Sequence, residues 1–196
     1  ILNANNNAGD IIQGAGVISI GTGTADLTGA NITLGNANVM GDITVNAGTG
    51  NVSITENSAI TLAGVTHTGN LTLNAGANGI SQTGDVEIGA GTLNLTGTTI
   101  TLANAANTFG ATTVNTGAGD VSLRTDGALA IAALTRTAGN VTLNAGTTIS
   151  QTGDVEIGAG TLNLTGTTIT LATAANTFGA TTVNTGAGDV SLRTDG

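Results

Sequence analysis

Cysteine, proline, tryptophan, tyrosine and lysine are all missing from this chain. Without cysteine there is no disulfide framework and no thiolate metal site. Aromatic residues make up 1% of the sequence, too few for the core of a β-sandwich, whose strands would also need to be longer than those visible here. Twelve acidic residues against three arginines give a net charge of -9, which disfavours nucleic acid and anionic membrane surfaces as partners. No apolar run approaches the roughly 20 residues of a membrane span. No leader segment is visible, and the chain begins at Ile1, so it reads as a piece of something longer.

What is present is simple and repetitive. There are 39 threonines and 32 glycines, 39% of residues are hydrophobic and 8% are charged. That balance argues against disorder, and its residue types favour strands and turns. The stretch Ile80–Gly127 recurs as Ile149–Gly196, 69 positions later, with one difference in 48 positions: Asn104 becomes Thr173. Gly50–Gly84 aligns in turn with Gly119–Gly153, and Ile20–Gly29 with Ile88–Gly97. Such a period is the signature of a repeat architecture. The chain divides into units at 1–49 (partial and diverged), 50–118, 119–187 and 188–196, the start of a further unit.

Within a unit the apolar residues alternate with polar ones, as in Val141-Thr142-Leu143, Val155-Glu156-Ile157 and Leu162-Asn163-Leu164. This is the period of a strand with one buried face, and nothing shows helical spacing. Strand centres are predicted near Ser122, Ala130, Thr142, Ser150, Glu156, Asn163, Thr170 and Val183. With a corner every seven residues or so, three corners close a circuit of about 23 residues, and three circuits make one unit of 68–70 residues. The fold class expected is an all-β parallel β-helix, a solenoid rod roughly 40 Å long. Phe109, Phe178 and Met40 stand at matched positions and are expected to pack into wide corners.

Few residues suggest chemistry. His67, the one histidine, has no evident partners and is expected on the surface. Asp85, Asp120, Asp154 and Asp189 follow glycine at corners; turn formation explains them without calcium, and the calcium β-roll motif is missing. An enzyme would need a singular cluster of acids and bases, and nothing breaks the repeat. The sequence therefore predicts no catalytic, metal or cofactor site. Six glycosylation sequons occur, at Asn31, Asn51, Asn70, Asn94, Asn140 and Asn163; alternating Asn and Thr produces such triplets by chance. Matched Asn and Thr are expected to stack as hydrogen-bonding ladders along the rod. Thr99-Ile-Thr101 and Thr168-Ile-Thr170 raise an alternative, an ice-binding solenoid, which requires a regular two-column threonine array on one face.

Ala106–Gly110 (ANTFG), Gly139–Gly146 (GNVTLNAG) and Ile149–Gly153 (ISQTG) resemble repeats of filamentous-haemagglutinin-like large exoproteins, bacterial surface proteins of the two-partner secretion type. The resemblance spans nearly the whole chain. It implies a right-handed β-helix serving as an extracellular fibre or adhesin stalk, a stiff spacer in surface attachment or cell–cell and matrix association. Its partners would be more of the same chain or end-to-end copies, neighbouring fibres or a cell-surface receptor, with neither nucleic acid nor membrane insertion.

Overall fold

The computed structural model describes residues 1–4, 8–173 and 175–195; Gly196, the last residue of the second near-identical block, lies outside the described residues. Among those described there are 22 strands and no helix. They form two sheets of 11 strands each. The first runs from Leu2–Asn3 to Thr181–Thr185, the second from Ile11–Ile12 to Val190–Leu192. Each strand pairs in parallel with the strand one coil before and one coil after it, and the chain passes from one sheet to the other in between. Right-handed winding is strongly favoured for such parallel crossovers, and the molecule is a right-handed parallel β-helix of about nine turns. All eight predicted strand centres fall within strands.

The core consists of aliphatic rows running along the axis. Ile60, Ile80, Ile100, Val121, Val141 and Leu162 stack coil upon coil in the first sheet, and all are at most 1% exposed. Leu129, Ile149 and Ile169 form a matching row in the second. Burial of each such side chain contributes roughly 1.5–3 kcal/mol, which replaces the aromatic core this composition cannot supply. Outward residues alternate with them and form polar columns, for example Thr61, Ser81, Thr101, Ser122, Thr142, Asn163 and Thr182. The neighbouring column is Arg124, Asn144, Thr165 and Asn184, so threonine does not form two adjacent columns there.

The coil is shorter than the spacing predicted. The stacked residues just named are 20 or 21 positions apart, not 23. Each coil carries two principal strands, and the third side is reduced to short pairings such as Thr66–Glu87–Thr108 and Thr135–Glu156–Thr177. A 69-residue unit therefore makes three and a half coils rather than three. Ile80–Gln82 belongs to the first sheet, whereas its copy Thr148–Gln151 belongs to the second. Period alone gives only the product of coil length and coil number, and two equivalent sheets permit a half-integral count.

Candidate functional site

The corners carry what chemistry this molecule has. At one of them the long strand Ile60–His67 lies beneath two short ones, Ile80–Gln82 and Val86–Ile88. The gap between the short strands is closed by Asn107, which is fully buried. Its Nδ2 donates to Gln82 Oε1 (2.8 Å) and to the Arg124 carbonyl (3.1 Å). Its Oδ1 accepts from Gln82 Nε2 (2.8 Å) and from the Val86 N–H (2.9 Å). Both donors and both lone pairs are thus used, and one side chain clasps three successive coils.

The clasp occurs in every unit. Gln151 and Asn176 reproduce it at 2.7 and 2.8 Å, with the Val155 N–H on the Asn176 oxygen (2.9 Å). Gln13 and Asn38 do so at 2.6 and 3.1 Å, with the Ile18 N–H donating to Asn38 (2.8 Å). The predicted sites did not include this pair. A signal was present: the chain's only three glutamines are Gln13, Gln82 and Gln151, each 25 positions before an asparagine. The Asn104/Thr173 difference keeps the bond to aspartate and adds one to the clasp, Gln151 Nε2 donating to Thr173 Oγ1 (2.6 Å). Asn104 Nδ2 donates to Asp85 and Thr173 Oγ1 donates to Asp154, both at 3.2 Å.

Phe109 and Met40 are buried, 8% and 3% exposed, and Phe178 is partly buried against the same core. Four sequon asparagines sit at corners, three in one ladder and the fourth in another. The oxygens of Asp10, Asn31, Asn51 and Asn70 accept in turn from the backbone N–H of Asn31, Asn51, Asn70 and Thr92 (2.9–3.1 Å). Asp120 and Asn140 do the same toward Asn140 and Thr161 (2.7 and 3.1 Å). Asp120 thus caps the next coil rather than a local turn. Asn94 and Asn163 lie instead on strands, half-buried, and point their amides at Thr92 and Thr161.

His67 is not on the surface. Strand alternation turns Thr66 out and His67 in, where it is 4% exposed. Neither ring nitrogen makes a hydrogen bond of normal geometry. Burial lowers its pKa below 6.5, weakly opposed by the Gly50 backbone. Its counterpart Arg136 is also buried, donating to the carbonyls of Ala138 (3.0 Å) and Asn140 (3.1 Å). Ala138 is the one residue inserted here relative to Thr68-Gly69, and its carbonyl cradles the larger cation.

Glu56 is a second buried ionisable group of the first copies. Its Oε2 accepts from the Met40 N–H (2.9 Å) and the Ser58 hydroxyl (3.1 Å), while Oε1 has no partner. Desolvation raises its pKa above 4.5 against those two hydrogen bonds. A raised folded-state value means that stability is fully present below the unfolded value and is lost as pH rises through the folded one. Glu56→Gln should therefore raise stability at pH 7. The advantage should vanish as pH falls toward 4.5, read from urea midpoints of both proteins across that range.

A groove of about 540 Å³ runs over one corner, lined by Asn46, Thr66, Thr68, Glu87 and Thr108 among others. It offers hydroxyls, an amide, a single carboxylate and the imidazole of the buried His67. Among the described residues no three of His, Cys, Asp or Glu converge as a metal site would require. The repeat family described as repeats of unknown function (DUF5649) matches residues 49–117 and 118–181. Neither a curated protein nor a solved structure matches the chain.

Proposed function

We propose, on the premise that the chain belongs to the DUF5649 family of repeats, that its units are a stiff spacer in an extracellular bacterial fibre or adhesin stalk. One observation carries this reading: the aliphatic rows, the clasps and the backbone pairing run through the unit junctions without interruption. A unit can then be added without creating a boundary, and each adds length at constant width. The chemistry at the corners is consistent with this role, since its hydrogen bonds join coils to one another. The resemblance to exoprotein repeats supports a place outside the cell.

Two measurements test the reading. Chains of two, four and six units should lengthen in small-angle scattering by about 17 Å per unit, three and a half strand spacings, with unchanged cross-section. A cross-section that grows with unit number would exclude a spacer. On intact cells of the source bacterium, the repeats should be removed by added protease; full protection until lysis would exclude an extracellular fibre.

A further inference from the structure

We infer that the repeat unit has a second function besides length: it sets direction, so that whatever follows the repeats faces opposite sides of the rod according to whether the number of units is even or odd. The basis is the half-integral coil count. Every strand within residues 80–127 changes sheet in its next copy. Leu93–Gly97 is in the second sheet and Leu162–Gly166 in the first. Thr112–Thr116 is in the second and Thr181–Thr185 in the first. Val121–Thr125 is in the first and Val190–Leu192 in the second.

The strands before residue 80 obey the same rule. Asp42–Ala47 lies in the first sheet and its counterpart Thr112–Thr116 in the second; Val52–Glu56 lies in the second and Val121–Thr125 in the first. Two units bring each strand back to the sheet it started from. The operation relating neighbours is thus a half turn about the axis with a rise of about 17 Å, and the same face recurs about every 34 Å.

This arrangement is possible because the two sheets are interchangeable. Ile80 packs in a row between Ile60 and Ile100, and its copy Ile149 packs between Leu129 and Ile169 on the other side. The clasp needs the same three-coil surroundings wherever it lies, and it finds them at both corners. Outward groups are distributed accordingly. Glu87 stands beside Thr66 on the first sheet and Glu156 beside Thr135 on the second. Any group carried once per unit is shared between opposite faces, and loss or gain of one unit turns the distal chain around. The inference rests on the winding alone, not on where the fibre is found.

The test uses the absence of cysteine, which makes introduced thiols unique. Ser53→Cys lies on the second sheet and Thr182→Cys on the first, and both side chains point outward. Copies of residues 80–148 are inserted before Ile149; because Ile80-Ser81 repeats Ile149-Ser150, every junction keeps its native sequence. The thiols are biotinylated, marked with monovalent streptavidin and viewed by negative-stain electron microscopy. With no insert the two markers should sit on opposite sides of the rod, with one insert on the same side, and with two on opposite sides again. Markers that keep one relation at all three lengths overturn the inference. So does an insert that abolishes the rod, since a unit that cannot follow itself cannot set direction. A rod that lengthens by about 17 Å per insert without the alternation would refute direction and leave the spacer reading standing.

Discussion

Asn107→Ala should lower the thermal midpoint by roughly 10 °C. The substitution strands the Gln82 amide, the Val86 N–H and the Arg124 carbonyl, three partners of a side chain with no solvent exposure. Each buried polar group left unpaired costs about 1–3 kcal/mol. A total near 4 kcal/mol corresponds to such a shift in a domain of this size. The damage should spread over three coils, because the clasp joins three, and hydrogen exchange at Val86 and its neighbours would show it. The control is Asn104→Thr, which imports the residue of the next copy. Thr173 already makes the equivalent bond to Asp154, so this change should stay within about 0.5 kcal/mol. A midpoint for Asn107→Ala indistinguishable from that control would mean that the clasp holds nothing together.

Gly91→Ala should destabilise by about 3 kcal/mol. Gly50, Gly69, Gly91 and Gly110 form a column at one corner, each seated against the backbone of the coil below. A Cβ on Gly91 would fall inside the contact distance of the Gly69 carbonyl oxygen. Backbone cannot step aside as the end of a side chain can, so the two coils must separate. The pairing they share includes the Leu71 N–H to the Thr92 carbonyl at 2.8 Å. Gly117→Ala is the matched comparison, since nothing lies within 4 Å of a Cβ there. Urea midpoints of the two variants should differ widely; equal values would remove close packing as the reason for glycine at this corner.

The direction of each side chain was legible wherever an apolar residue alternated with a polar one, because a strand has only two faces. Val141, Leu143, Leu162 and Leu164 could be assigned to the interior, and the stacking of such short strands into a solenoid followed from the repeat and the scarcity of aromatics. The same alternation would have placed His67 inside behind Val65, but the lack of evident partners argued for the surface, and the fold buries it with no hydrogen bond of normal geometry to either ring nitrogen. The glutamine–asparagine clasp was written in three matched pairs. Its meaning was not, since a side chain recognises a partner 25 residues away only once the winding brings them together.

Local alternation and a 69-residue period were enough to indicate parallel strands stacked around an aliphatic interior. They could not establish how many times the chain circles in one period. That number is set by how tightly the corners turn, and the corners are shaped by contacts between coils: glycine against carbonyl, asparagine against the next N–H, amide against amide. Only the folded rod brings those groups within reach of one another, and there the count settles at three and a half, placing identical sequence on opposite sides.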